Sequence, residues 1–375
     1  MKKSSIGLKK NELDTPCLII DINTLKYNLN YMKEHAIKNN IQVRPHCKTH
    51  KCSELAKLQI EYGAIGVSVA KVSEAITLIN KGISNILITS PVISKNKILQ
   101  LLLCIKKAPE TIVVVDNEEN LIDLNLAGES INQQINVLID LDSGIGRTGI
   151  NPSRALDFAL KITKFKWLNL VGVQCYAGNL QHIKSFNERK KLSLQIMQNA
   201  SETVQTLRRN GLQCLILTGT GTGTYDIDVE ATEITEIQPG SYAVMDVEYM
   251  NIGSKFNDNS FDTFKQSMSL LTTVISSNRD EHVTVDAGTK SIYIDIMHKP
   301  EIISHTGLQY SWGGFGDEHG KITSNNQTSL PKIKEVLELI VPHCDPTINL
   351  YDNFFIIDKG VVVDVWQIDL RGKSQ

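Results

Sequence analysis

Ile41-Gln42-Val43-Arg44-Pro45-His46-Cys47-Lys48-Thr49-His50-Lys51 joins a short apolar strand to a lysine framed by two histidines. The arrangement puts Lys48 at the C-terminal end of the strand. That is where an α/β barrel opens its active site, and a lysine there is suited to forming a Schiff base with a carbonyl cofactor. A basic surface loop has the same composition, so the surrounding chain has to decide between the two. Short runs rich in β-branched residues recur outward from this stretch, at residues 41–44, 65–70, 86–89, 111–115, 137–140, 168–174, 214–217 and 235–238. The segments between them carry apolar residues at helical spacing. Residues 73–81 keep Ala75, Ile76, Leu78 and Ile79 on one face, and 152–162 opens with Pro152, which suits a first helical turn. Eight strands alternating with helices predict a (β/α)8 TIM-type barrel. A doubly wound open sheet gives the same alternation, but no G-x-G-x-x-G follows an early strand.

The texture changes after about residue 255, where Asn257-Asp258-Asn259-Ser260 is a polar break followed by alternating runs at 269–275 and 282–286. The expected organisation is a barrel over 22–255 and a β-rich domain formed by 1–21 with 256–375, in which residues 15–21 are a further strand able to pair with either sheet. With 41% hydrophobic residues, 21% charged residues and a net charge of -2, the composition gives no electrostatic bias toward nucleic acid or an anionic membrane. No run approaches the roughly 20 apolar residues of a membrane helix. Seven scattered cysteines without a C-x-x-C pair fit a reducing compartment. The expectation is a cytoplasmic protein whose partner is a small molecule.

The strand ends carry the chemistry. Residues 137–140 run into Leu141-Asp142-Ser143-Gly144-Ile145-Gly146-Arg147-Thr148-Gly149, where glycines let the backbone turn beneath one arginine, suited to a cofactor's phenolic oxygen or a substrate carboxylate. Residues 168–174 lead to Tyr176 and His182 in one loop. After the seventh and eighth strands come Thr218-Gly219-Thr220-Gly221-Thr222-Gly223-Thr224 and Gln238-Pro239-Gly240-Ser241-Tyr242. Glycine backbone interleaved with hydroxyls offers the clustered donors that a phosphate needs, at the corner where barrels bind one. A lysine at strand one and a phosphate cradle at strands seven and eight together imply pyridoxal phosphate. In Pro342-His343-Cys344-Asp345-Pro346 an extended backbone puts His343 and Asp345 on one face, able to converge on a divalent cation while Cys344 points away. Two protein ligands leave open positions for a catalytic ion, and manganese, magnesium and zinc all fit. His319 lies upstream in Glu318-His319-Gly320.

With these motifs in hand the chain resembles the D-threonine aldolase and D-serine dehydratase family, fold-type III pyridoxal phosphate enzymes related to the alanine racemase barrel. The resemblance runs from Thr15-Pro16 through residues 44–51, Gly219 to Tyr225 and 239–242 to Glu318-His319-Gly320 and His343-Cys344-Asp345. It implies that Lys48 holds the cofactor, that Arg147 lies near its ring oxygen with Tyr176 in the same site, and that Gly221, Thr222, Gly240, Ser241 and Tyr242 serve its phosphate. It also implies a homodimer. Aldolase-like members resemble His-x-Asp at the metal motif and dehydratase-like members His-x-Cys. Position 345 is aspartate, which reads as aldolase-like and suits manganese or magnesium better than zinc. The expected reaction is cleavage of a D-3-hydroxy amino acid, D-threonine-like, to glycine and an aldehyde, with metal-activated water or a histidine such as His50 or His182 as base. A D-serine or 3-hydroxyaspartate dehydratase, an amino-acid racemase and a non-enzymatic pyridoxal phosphate carrier are the alternatives.

Overall fold

Strand β1 (Cys17–Asp21) and helix α1 (Ile22–Asn39) open the fold, in a computed structural model that describes residues 5–295, 297–312, 314–325 and 328–375. There follow β2 (Gln42–Val43), α2 (Ser53–Glu61), β3 (Val67–Val69), α3 (Val72–Asn80), β4 (Ile86–Ile88), α4 (Lys95–Lys107), β5 (Ile112–Val115), α5 (Glu118–Ile131), β6 (Ile135–Leu141), α6 (Ala155–Ile162), β7 (Leu168–Cys175), α7 (Phe186–Arg209), β8 (Ile216–Gly219) and β9 (Glu236–Ile237). The chain continues with α8 (Val247–Met250), β10 (Met268–Ser276), β11 (His282–Val285), β12 (Glu301–Ile302), β13 (Leu308–Ser311), β14 (Gly320–Ser324), β15 (Val336–Ile340), α9 (Cys344–Ile348), β16 (Asn353–Asp358) and β17 (Val361–Gln367). Two compact units result, one of Met32–Lys48, Leu55–Gly240 and Gly372–Gln375, the other of Met1–Tyr31, Thr49–Glu54 and Ser241–Arg371. Among the described residues no helix is long and apolar enough to cross a membrane.

The first unit is the expected barrel. Its eight strands pair in parallel in the order β2-β9-β8-β7-β6-β5-β4-β3. Residues just beyond the two terminal strands close the ring: Ile65 N–H donates to Val43 O at 3.0 Å, Ser68 N–H to Pro45 O at 2.8 Å and Cys47 N–H to Ser68 O at 2.8 Å. Parallel strands are buried on both faces and therefore read as continuous apolar runs, and β5, Ile-Val-Val-Val, is buried throughout. Leu87, Ile112, Val114 and Leu138 form one core layer of this unit. The helices take their ends from ordinary caps. The Ser94 hydroxyl accepts the Lys97 N–H at 3.3 Å, and the Asn117 side chain accepts the Glu119 N–H at 2.8 Å. Within α3, Val72, Ala75 and Leu78 make the buried stripe.

The second unit is built on a mixed sheet with the path β13-β14-β11-β10-β1-β16-β17, to which β15 and β12 add beside β10. β1 lies antiparallel to β10 (Cys17 opposite Leu271) and parallel to β16 (Leu18 opposite Phe354), so the strand expected at 15–21 pairs within this sheet. Cys17, Ile19, Leu271, Ile357 and Val362 pack one face of it.

The strongest buried charge in the barrel sits away from the strands' C-terminal ends. The Arg44 guanidinium donates to Glu236 through Nε at 2.5 Å and through Nη2 at 3.2 Å, and both side chains are almost fully buried. It also donates to Asn85 O at 2.6 Å. Asn85 and Glu236 stand at the N-terminal ends of β4 and β9, so this pair plugs the face where barrels keep stability rather than catalysis. Removing one member strands a charge, while removing both does not. Glu236→Leu alone is expected to cost about 3–5 kcal/mol in denaturant unfolding, and the double variant Arg44→Met with Glu236→Leu distinctly less. Equal losses in the two variants would show that packing, not charge pairing, sets the stability of this end.

Candidate active site

The C-terminal ends of the barrel strands surround a cavity of about 820 Å³ whose wall includes Lys48, beyond β2, and Arg147 and Tyr176, beyond β6 and β7. Three of the residues singled out from sequence thus share one cavity. The Arg147 guanidinium stands 5.8 Å from the centre of the Tyr176 ring, within cation–π range. The loop that presents Arg147 is fastened by three aspartates. Asp142 Oδ1 accepts the Gly144 and Gly146 N–H groups at 2.9 and 3.0 Å, Asp140 Oδ2 accepts the Thr148 hydroxyl at 2.7 Å, and Asp116 Oδ2 accepts the Gly149 N–H at 3.0 Å. Gly149 has φ +96° and a Cβ there would lie 2.6 Å from Asp142 N, so only glycine closes this turn.

The cavity wall also carries residues that the sequence did not single out for the site. Gln174, at the end of β7, donates to Asp140 Oδ1 at 2.9 Å and accepts from Gln238 at 3.4 Å, while Gln238 donates to the Thr218 hydroxyl at 2.9 Å. Burial pushes the Asp140 carboxyl up to about 6, against the hydrogen bonds from Gln174 and Thr148 that favour its charged form. On the other side, His46 Nδ1 accepts the Lys48 backbone N–H at 3.3 Å. Its Nε2 meets Thr89 Oγ1 at 3.1 Å, and that hydroxyl donates to Val69 O at 3.1 Å. His46 is thereby held as the Nε2–H tautomer, a strut under the lysine's own peptide. Polar strand-end residues at 174 and 238 were the available signal for the amides.

The glycine-threonine loop after β8 is buried along its length. Its glycines answer first to packing: a Cβ at Gly219 would lie 1.9 Å from Cys175 O, one at Gly221 2.4 Å from the Gln181 amide oxygen, and one at Gly223 2.1 Å from Gln181 O. Gln181 Oε1 also takes the Gly223 N–H at 2.9 Å. The donor array expected from sequence is therefore partly spent inside the protein. Thr220 adopts φ +71°, a left-handed conformation unfavourable for a β-branched residue and concentrated at ligand-binding loops. Behind the loop, Asp228 accepts the Thr224 hydroxyl at 2.8 Å and the Ser193 hydroxyl at 2.5 Å, and burial pushes its carboxyl up to about 6. Arg189, fully buried, ties Gly223 O (2.8 Å) to the loop after β7 at Ile183 O. Thr222 lies in the same buried turn, whereas His182, half-buried in the loop after β7, is not among the residues lining the cavity. Gly240 ends the barrel unit.

Ser241, Tyr242 and His50 belong to the second unit. Ser241 and Tyr242 are buried in a short 3-10 turn, with the Tyr242 ring edge-on to Phe264 at 5.5 Å. His50 is fully buried and its Nδ1 accepts the Cys52 N–H at 3.2 Å.

The second unit also holds the candidate metal motif. The backbone at 343–345 is extended only at His343, the N-cap of α9, which begins at Cys344 and accommodates Pro346 in its first turn. Helical winding keeps Cys344 beside His343, and with Asp246 the two form a group whose ligand atoms all lie within 4.8 Å of one another. Asp345 stands next to it, its Oδ1 3.5 Å from the Cys344 thiol. His319, just before β14, is outside this group. His343 Nδ1 lies 3.0 Å from Asp246 and 3.1 Å from Glu248. Burial works to lower the pKa of this imidazole, but Asp246, Asp345 and Glu248 together outweigh it and raise it to about 9. Asp246 and Glu248 were missed from sequence. Their one local signal is two carboxylates in an otherwise apolar run from Ala243 to Tyr249.

Comparison with known proteins places this arrangement. Residues 20–247 match the family described as alanine racemase, N-terminal domain, and residues 267–357 the putative serine dehydratase domain. The chain is 35% identical to a D-threonine aldolase of Arthrobacter sp. over 97% of this chain and 94% of that protein. It is 32% identical to a 3-hydroxy-D-aspartate aldolase of Paracoccus denitrificans (strain Pd 1222), over 98% and 95%. The crystal structure of D-threonine aldolase from Filomicrobium marinum superposes with a TM-score of 0.92 at 32% identity, covering 99% of this chain and 98% of that one. A racemase-type barrel followed by a serine dehydratase-type domain, matched end to end by aldolases, identifies the chain as a member of the D-threonine aldolase and D-serine dehydratase family of lyases.

Proposed function

We propose that this protein is a pyridoxal phosphate- and divalent-metal-dependent aldolase that cleaves D-3-hydroxy amino acids, D-threonine-like, to glycine and an aldehyde. The observation that carries the reading is Lys48 on the wall of a cavity at the barrel's C-terminal face, opposite a guanidinium and an aromatic hydroxyl. The relatives named as aldolases of D-threonine and 3-hydroxy-D-aspartate support the choice of reaction.

The residues fit both groups. Lys48 offers an amine to a carbonyl, Arg147 and Tyr176 offer partners for a ring oxygen or a carboxylate, and the strained, hydroxyl-rich loop at Gly221 and Thr222 with Gly240, Ser241 and Tyr242 would hold a phosphate. His343 and Asp345 supply nitrogen and oxygen donors for a divalent ion, manganese or magnesium before zinc. When bound, pyridoxal phosphate supplies the electron sink that lets the Cα–Cβ bond break, and the ion supplies polarisation of the substrate hydroxyl. The chain's own part is to orient the substrate and take the hydroxyl proton. His50, whose Nδ1 accepts the Cys52 N–H, and His182 are the candidates for that base. We read the protein as a cytoplasmic homodimer acting on a small molecule, without nucleic acid or membrane partners.

Dehydration to a 2-oxo acid and ammonia is the second reading, favoured by the serine dehydratase description of residues 267–357. A product assay separates the two. Protein loaded with pyridoxal phosphate and manganese is expected to convert D-threonine to glycine and an aldehyde, and tests with D-serine and D-3-hydroxyaspartate rank the side chains. Release of a 2-oxo acid with ammonia instead would transfer the protein to the dehydratases. Lys48→Ala is expected to lose both turnover and the near-visible absorption of the tightly held cofactor, and turnover surviving in that variant would remove Lys48 from its role. Chelation of the divalent ion is expected to stop cleavage while the cofactor absorption persists, with manganese restoring activity; unchanged activity in chelator would leave His343 and Asp345 without a catalytic ion.

A further inference from the structure

The proposed function puts a divalent ion at His343, and the hydrogen bonds around that imidazole separate groups that touch the ion from groups that hold its ligand in place. By distance alone, Asp246, His343 and Cys344 make a three-ligand site. The bonding of Asp246 argues otherwise. Its Oδ1 accepts the Tyr249 N–H at 2.9 Å, capping α8, and its Oδ2 accepts the Cys344 N–H at 2.9 Å at the start of α9. The same Oδ2 lies 3.0 Å from His343 Nδ1, and the residue is fully buried. Three of this carboxylate's roughly four acceptor sites are thus already taken, two of them by N–H groups at the starts of helices. A ring nitrogen that faces both Asp246 and Glu248 is the protonated one, so the nitrogen that can present a lone pair to a cation is Nε2. The Cys344 sulfur is also fully buried, its Sγ 3.5 Å from Asp345 Oδ1.

We propose that Asp246 is a positioning residue that fixes His343 as an Nε2 ligand by accepting its Nδ1–H, and that Asp246 and Cys344 both stay outside the ion's coordination sphere. This is the carboxylate–histidine–metal arrangement, in which the outer carboxylate sets the tautomer, ring orientation and basicity of the ligand. It assigns the ion His343 and Asp345 from this stretch, leaving the remaining positions to water and substrate.

The inference rests on the metal-dependent reading above, and the test separates the two. Full-length protein loaded with pyridoxal phosphate is titrated with Mn²⁺, free ion being read by electron paramagnetic resonance, and separately loaded with Co²⁺ for its absorption spectrum. Asp246→Asn keeps a side-chain oxygen suited to an N-cap, so α8 is retained. It is expected to weaken Mn²⁺ binding by about 10- to 100-fold, with cofactor absorption and circular dichroism unchanged. Cys344→Ala is expected to bind Mn²⁺ as the unaltered protein does. The Co²⁺ spectrum of the unaltered protein, which needs no substitution, is expected to lack a thiolate-to-cobalt charge-transfer band. Unchanged affinity in Asp246→Asn overturns the proposal, as does a thiolate band, or an Asp246 oxygen about 2.2 Å from manganese in a crystal of the loaded protein. If the unaltered protein takes up neither ion, the metal-dependent function falls and the proposal with it; normal uptake with normal affinity in Asp246→Asn sinks the proposal alone.

Discussion

The seam that closes the barrel is the constraint on which the placement of Lys48 in the cavity wall depends. Pro45, His46 and Cys47 are held on both sides: His46 N–H donates to Pro239 O at 3.2 Å, Ser68 N–H donates to Pro45 O, and Cys47 N–H donates to Ser68 O. Lys48 is the next residue. A segment bonded to the strands on either side cannot shift without opening the barrel, so ring closure and placement of the amine are one event. His46 adds a side-chain strut to Thr89, at the end of β4, and returns a hydrogen bond to the Lys48 peptide. The lysine thus extends its flexible stem from a backbone fixed on both flanks, the preorganisation that a nucleophile needs.

The same barrel divides its charges between its ends. At the N-terminal face the Arg44–Glu236 pair is closed, bidentate and dry, with no group left to react. At the C-terminal face the carboxylates are linked to neutral donors instead: Asp140 to an amide and a hydroxyl, Asp228 to two hydroxyls. Burial raises both of these carboxyls toward neutrality, whereas a guanidinium partner would have kept them charged. Their effect is to stiffen two loops, 142–149 and 218–224, without placing a fixed charge pair beside the cavity. If the site holds pyridoxal phosphate as proposed, such damped carboxylates serve its anionic phosphate better than fully charged ones would.

Much of this was legible in sequence. The eight barrel strands stand out because parallel strands covered on both faces are rich in apolar, β-branched side chains, and the helices because each buries a single stripe. Lys48, Arg147 and Tyr176 could be grouped because a barrel brings every strand's C-terminal end to one rim. Legibility failed where the cause was non-local. Asp246 lies 97 residues from His343, and nothing in either segment announces the bond between them. It failed again where a local rule was misjudged. An extended backbone would set His343 and Asp345 on one face, but Pro346 falls in the first turn of α9, where its missing N–H has no partner anyway. Close packing against Gln181 also favours glycine at 221 and 223, a second demand on the loop after β8 that the sequence does not announce.

The winding of α9 bears on the choice of metal. Burial works to lower the pKa of the His343 imidazole, but Asp246, Asp345 and Glu248 outweigh it and push it up to about 9. Glu248 is raised as well, first by burial and then by Asp246 and Asp295, against the opposing pull of His343 and His298. A proton and a divalent ion are alternative solutions to the same electrostatic problem, and the ion takes its place by displacing the proton from the nitrogen it binds. Because the only sulfur in the group is fully buried and its thiol is raised well above its usual value, the accessible donors are imidazole and carboxylate. Such a donor set favours a harder ion over a thiophilic one. In the function proposed above, this charge excess would favour a divalent cation at this corner of the fold, and the burial of Cys344 would favour a harder one.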